Sequence, residues 1–166
     1  VISLLQRAES LYPLDSRFPA ELGDIYNTRG LYNLAWNAYH RAEIIDPENS
    51  ELWYQLSYVA GRLNKNEESI QYLQRILAKN PDNRDAIGDL GWMYFKTHRL
   101  SEGERLLTES LDRFGPDQGL EMTLATIYSD QYRYEDAKTY YLKAIKHAEK
   151  SGFKLFLAVA YYNLSI

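Results

Sequence analysis

The side chains that could do chemistry are three histidines and a scatter of carboxylates. His40, His98 and His147 share no HxxxH or ExxH spacing. A metal site needs three or four converging ligands, and these three would project in different directions, so no metal is expected. Asp85 and Asp89 stand four apart on one helical face, and Glu21 and Asp24 three apart. A carboxylate pair could serve acid–base hydrolysis, yet on a helix surface it is far more often a solvated acidic patch. Serines and threonines occur without a nucleophile elbow or a neighbouring base. There is no cysteine, which removes a thiol nucleophile, thiolate ligands and disulfides together. Neither GxGxxG nor GxxxxGK(S/T) is present, so no nucleotide cofactor is expected. The chain reads as a non-enzyme without cofactors.

The more telling side chains are aromatic. Fifteen of the 166 residues are tyrosine, each a flat apolar body with one polar tip, and so many imply a packing role used repeatedly. The remaining composition, 45% apolar and 25% charged, is that of a folded chain. A net charge of −4, with no Lys/Arg cluster longer than two, argues against nucleic acid as a partner. No window approaches the roughly 18 apolar residues of a membrane span, so no direct membrane insertion is expected. Val1–Arg7 lacks the basic start and small-residue cleavage site of a signal peptide. The compartment is left unknown, with the cytoplasm favoured and the periplasm compatible.

The elements that must position these residues are found from the prolines. Pro13, Pro47 and Pro81 lie 34 residues apart, and Pro116 follows after 35. Each stands just beyond an apolar helical pattern, where proline ends a helix. With 34 as the period, the repeats are 16–49, 50–83, 84–117 and 118–151. Leu22, Leu56, Leu90 and Leu124 share position 7, and Gly23, Ser57, Gly91 and Ala125 share position 8. Position 11 holds Tyr26, Ala60, Tyr94 and Tyr128, and position 20 holds Ala35, Ser69, Gly103 and Ala137. Tyr39, Leu73, Leu107 and Tyr141 share position 24.

Positions 4, 7, 8 and 11 follow the spacing of one helix face, and 20, 24 and 27 that of a second. Turns are expected at Arg29-Gly30, Asn64-Lys65-Asn66, His98-Arg99 and Tyr132-Arg133. Each repeat is therefore helix A, tight turn, helix B. The small residues at 8 and 20 let the two helices approach closely. Tyr26, Tyr39, Tyr94, Tyr128, Tyr141, Tyr161 and Trp53 fall on packing positions and are expected in the core.

This pattern resembles the tetratricopeptide repeat (TPR) family, which has a 34-residue signature. Leu22, Gly23, Tyr26, Ala35, Tyr39, Ala42 and Pro47 match it in the first repeat, and Trp53, Leu56 and Pro81 in the second. Ala60 and Ile76 depart from it, Pro116 is shifted by one, and Glu149 stands where a proline would close the fourth repeat. The resemblance implies an all-α, right-handed α-solenoid of stacked antiparallel helix pairs, about ten helices in a single array over 1–166. Both ends are expected to cut through repeats. Residues 1–15 read as a partial repeat, the fourth repeat extends to about 157, and 158–166 begin another helix A with Tyr161, Leu164 and Ser165.

The resemblance also implies a function: binding a peptide or helix of a partner protein in a concave groove lined by the A helices. The alternative is a structural or oligomerisation scaffold, or a regulatory region of a larger protein. By resemblance, positions 2, 5, 6, 9, 12 and 13 face the groove. They place Tyr54, Tyr58, Arg62, Asp85, Asp89, Trp92, Phe95 and Lys96 there as partner-binding candidates, with Tyr54, Tyr58, Trp92 and Phe95 as an aromatic patch. Glu21, Asp24, Glu51 and Asp130 join Asp85 and Asp89 against Arg17, Arg62 and Lys96. An acidic groove suits a partner with basic and apolar or aromatic side chains. End-to-end self-association is a further expected contact. Chaperone-binding members of the family use Lys, Asn and further basic residues to hold a carboxylate; here those places hold Ala20, Asp24, Asp85 and Asp89, so that mode is not expected.

Overall fold

A computed structural model describes residues 1–151. The further helix expected at 158–166, with Tyr161, Leu164 and Ser165, and the extension to about 157 lie outside these described residues. Within them the chain forms nine α-helices and no strand: α1 (Ile2–Leu11), α2 (Arg17–Thr28), α3 (Tyr32–Ile45), α4 (Ser50–Arg62), α5 (Asn66–Lys79), α6 (Arg84–Lys96), α7 (Leu100–Phe114), α8 (Gln118–Asp130) and α9 (Tyr134–Ser151).

Local chemistry recurs at both ends of the helix pairs. Gly30, Asn64, His98 and Tyr132 have φ of 72°, 59°, 56° and 60°, one left-handed residue every 34 positions. Each follows an odd turn in which two orphan carbonyls are satisfied. The amides of Leu31, Lys65, Arg99 and Arg133 donate to the carbonyls of Tyr26, Ala60, Tyr94 and Tyr128, all at 2.9 Å. The left-handed residue itself donates to the carbonyl three back, as in Gly30 to Asn27 at 2.9 Å. This is the Schellman arrangement; it reverses the chain in the fewest residues.

The A helices begin on short acidic or amide side chains. Asp15 accepts from the Arg17 amide at 3.1 Å, Asn49 from Leu52 at 3.3 Å and Asn83 from Ala86 at 3.0 Å. Asp117 accepts from Gly119 and Leu120 at 2.9 and 3.1 Å. Each accepts from backbone donors that the helix cannot satisfy, and the N-caps Asn49, Asn83 and Asp117 typically contribute about 1 kcal/mol each.

The chain divides into two compact units, Val1–Asp82 and Asn83–Ile166. In the first, α1 packs on α2, α2 on α3, α3 on α4 and α4 on α5. Leu22, Ala35, Ala38, Tyr39, Ala42, Leu56, Val59 and Ala60 are fully or almost fully buried. Gly23 has no Cβ because the Tyr39 ring occupies that space. In the next pair, Ser69 Oγ donates to the Ser57 carbonyl at 2.9 Å, so the two small positions touch.

In the second unit α6 packs on α7, α7 on α8, α8 on α9, and α6 on α8. A Cβ on Gly91 would lie 2.8 Å from a Leu107 methyl, and one on Gly103 2.8 Å from Ile127 Cδ1. Leu107, Leu124, Ala125, Ile127 and Ala144 are shielded completely. Small-against-large pairing thus brings neighbouring helices together throughout each unit.

The packing aromatics Trp53, Tyr39, Tyr94, Tyr128 and Tyr141 are buried. Tyr26 differs, being half-buried. The reason lies at the turn: Arg99 stacks on Tyr94 at 4.6 Å and Arg133 on Tyr128 at 4.2 Å. The equivalent residue beside Tyr26 is Leu31, itself exposed.

Candidate functional site

The positions expected to face a groove lie on α2 and α4 in the first unit and on α6 and α8 in the second. On α4, Tyr54, Tyr58 and Arg62 stand four residues apart and share one face. Tyr54 is half-buried, Tyr58 is 50% exposed, and Arg62 is exposed with its guanidinium 5.0 Å above the Tyr32 ring. Trp53, one residue away, points into the core instead, where its Nε1 donates to the Pro47 carbonyl at 3.0 Å.

On α6, Asp85, Asp89, Trp92, Phe95 and Lys96 share a broad face in the second unit. Trp92 is 44% exposed, and its ring lies 5.1 Å from that of the half-buried Phe95, tilted by 36°. The eight candidate residues therefore divide three to the first unit and five to the second, each set on a single helix. Gly88, one residue before Asp89, faces Leu120 of α8 at a distance that leaves room for ordinary contact only.

Ala20, Asp24 and Glu51, and with them Gln55 at position 6 of its repeat, stand at the positions the resemblance turns to the groove. In the first unit they line a cleft of about 180 Å³ with Tyr39 and Ala42 of α3. The signal was present: small residues at 20 and 42 leave open space where larger ones would fill it. Tyr39 Oη donates to Asp24 Oδ1 at 2.7 Å. Burial first, and then this carboxylate partner, hold the Tyr39 phenol far above its ordinary range, so it stays a donor.

The histidines are spread as their spacing implied. His40 Nδ1 lies 3.0 Å from Glu43 Oε2, a carboxylate that also accepts from Tyr72 Oη at 2.8 Å and Arg75 at 2.9 Å. His98 is an exposed turn residue. His147 Nδ1 lies 2.7 Å from Oε2 of Glu121, a carboxylate only 3% exposed. Among the described residues no three His, Asp or Glu side chains group to hold a metal ion. Nor is any described helix long and apolar enough to cross a membrane.

Among the described residues, paired helices repeating every 34 positions, with an exposed aromatic on α4 and another on α6, define a helical-repeat protein. Tetratricopeptide repeat family models match residues 62–127 and 122–150, together more than half of the chain. The chain belongs to the tetratricopeptide repeat family. It is 28% identical over 125 residues, 74% of its length, to the transcription factor tau 131 kDa subunit of Saccharomyces cerevisiae. It spans between 12% and 34% of the length of the curated relatives it matches. Its fold is that of MamA, with a TM-score of 0.82 at 20% identity, covering 91% of this chain and 88% of MamA. It is also that of YrrB, described as a TPR protein with an unusual peptide-binding site, with a TM-score of 0.81 at 18% identity, covering 97% of this chain and 81% of YrrB.

Proposed function

We propose that the chain is a protein–protein interaction module that holds a peptide or helix of a partner, through the exposed faces of α2 and α4 in the first unit and of α6 and α8 in the second. The observation that carries this is the pair Tyr58 and Trp92, the large apolar side chains left most exposed on those helices. Aromatics of this size are normally buried, and where they are exposed beside small or polar residues they act as binding anchors. YrrB, which shares the fold, binds peptide by its own description.

Charge supports a partner of particular chemistry. Glu21, Asp24, Glu51, Asp85, Asp89 and Asp130 are all exposed on these helices, against Arg17, Arg62 and Lys96. Such a surface favours basic side chains beside an apolar or aromatic anchor, and disfavours nucleic acid. The residues we assign to binding are Tyr54, Tyr58 and Arg62 in the first unit, and Asp85, Asp89, Trp92, Phe95 and Lys96 in the second. Holding, without chemical conversion, is the activity.

The test uses peptides selected from a random library on the whole chain. Tyr58→Ala and Trp92→Ala, each confirmed as folded by circular dichroism, are titrated with those peptides. Truncating an anchor costs about 2 kcal/mol or more, a roughly 30-fold loss of affinity. Affinity unchanged in both folded variants overturns the assignment.

End-to-end contact between copies of the chain is a second proposed use of its surface. α1 buries none of its residues, and Leu4, Leu11 and Leu14 are exposed along and beyond it. Apolar side chains left open in this way favour self-association.

A further inference from the structure

A partner with basic side chains needs a place for its positive charge, and the first unit contains a cleft with carboxylates on its wall. The cleft between α2 and α4 is about 180 Å³. Pockets for cofactors and drug-sized ligands run to roughly 300–1,000 Å³, so this one suits a single long side chain. Ala20 and the edge of Leu52 give it apolar wall, backed by the fully buried Ala42 and Tyr39 ring, and Asp24, Glu51 and Gln55 give it polar wall.

The charge in the cleft is uncompensated. Among the described residues the Glu51 carboxylate has no ion-pair or hydrogen-bond partner, and neither has the side-chain amide of Gln55. Asp24 accepts from Tyr39 through Oδ1 only, at 2.7 Å, which leaves Oδ2 open. The one cation on the wall, Arg17, is already held: Nε donates to Asp15 Oδ1 at 2.9 Å and Nη2 to Oδ2 at 2.6 Å.

The first turns of α2 and α4 also border the cleft, and a helix start carries about half a positive charge. Two points keep them from making it an anion site. Asp15 and Asn49 already accept from the Arg17 and Leu52 amides, and two full carboxylates outweigh the partial charges. The cleft therefore asks for a cation with an apolar stem, and a basic side chain has both parts.

We infer that the cleft between α2 and α4 takes one lysine or arginine side chain of the bound peptide, its methylenes against Ala20 and the exposed edge of Leu52 and its charged end between Asp24 and Glu51. This deepens the proposed function and rests on it for its biological use, but the cleft can be tested without any natural partner.

The probes are the blocked tripeptides acetyl-Ala-Lys-Ala-amide and acetyl-Ala-Arg-Ala-amide, with acetyl-Ala-Gln-Ala-amide as the neutral control. They are titrated into the whole ¹⁵N-labelled chain and followed by amide NMR. The expected result is saturable shifts at Ala20, Leu52 and Gln55 with the basic peptides, at least tenfold weaker with the neutral one. Glu51→Gln reduces the affinity severalfold and Glu51→Lys abolishes it, while neither alters the spectrum of the second unit. Basic and neutral peptides acting alike, shifts absent from these amides, or full binding by folded Glu51→Gln overturns the inference. Failure of the proposed function shows elsewhere, as library peptides whose binding ignores Tyr58 and Trp92.

Discussion

Replacing Gly23 by alanine tests the close packing on which each helix pair depends. A Cβ at this position would lie 2.9 Å from Cγ of Tyr39 and nearer still to two other ring atoms. The ring is fully buried and its hydroxyl is tied to Asp24 at 2.7 Å, so it has little freedom to withdraw. Overpacking of this kind costs typically 1–3 kcal/mol. Displacing the ring would also weaken a hydrogen bond to a charged group, in the class of about 1.5–3 kcal/mol before water replaces it at the exposed carboxylate. Against these stands a gain of about 1 kcal/mol, because alanine forms helix better than glycine. The expected net loss is about 2–3 kcal/mol, combining those opposing terms. Urea unfolding followed by circular dichroism measures it, with amide exchange in α2 and α3 to localise the loss, since repeat arrays need not unfold as one. In a Tyr39→Leu background the obstructing ring is gone and the same substitution should cost little. Stabilisation of the parent chain by about the propensity gain of 1 kcal/mol would refute the argument.

Three further outcomes follow from other parts of the molecule. His98→Gly should stabilise by about 0.5–1 kcal/mol in urea, since φ of 56° strains any residue with a Cβ; a loss of stability contradicts this. For Glu121, burial raises the carboxyl above its ordinary range despite the partly compensating His147. A raised value means the group favours folding most below the unfolded pKa of about 4.3, and loses that contribution as pH rises through its folded value. Glu121→Gln should therefore raise the thermal midpoint at pH 7, by an amount that shrinks towards pH 4; a gain independent of pH, or a loss at pH 7, runs against it. Sedimentation velocity should show the parent chain associating as concentration rises and Leu4→Glu/Leu14→Glu remaining monomeric. A parent that stays monomeric throughout removes α1 as a self-contact.

The helix pairs were legible in the sequence because their marks are local and repeated. Proline beyond each helix B and small residues at positions 8 and 20 need no tertiary knowledge to interpret. The left-handed turn residue was less visible: Gly30 announces it, but His98 and Tyr132 adopt the same geometry only because the helices on either side impose it. The caps at 15, 49, 83 and 117 were on view as Asp or Asn in one register and passed unread. Tyr26 escaped because its degree of burial depends on an arginine across the turn that the first repeat lacks. At the candidate site, the family resemblance is what assigns Tyr54, Tyr58 and Arg62 to binding, and their four-residue spacing adds that they share one face of α4. The cleft was hidden for a different reason: it requires α3 to bring Tyr39 and Ala42 beside α2 and α4, and no periodicity of a single helix encodes that juxtaposition. Glu121 was equally silent, since only packing turns a charged helix residue into a buried one.

The most direct measurement is a footprint. A library-selected peptide bound to the whole ¹⁵N-labelled chain should perturb amides of α2, α4, α6 and α8, centred near Tyr58 and Trp92, and leave α5 and α7 largely unchanged. Perturbations gathered instead on α5 and α7, with Tyr58 and Trp92 silent, would show that these exposed aromatics are not where a partner is held.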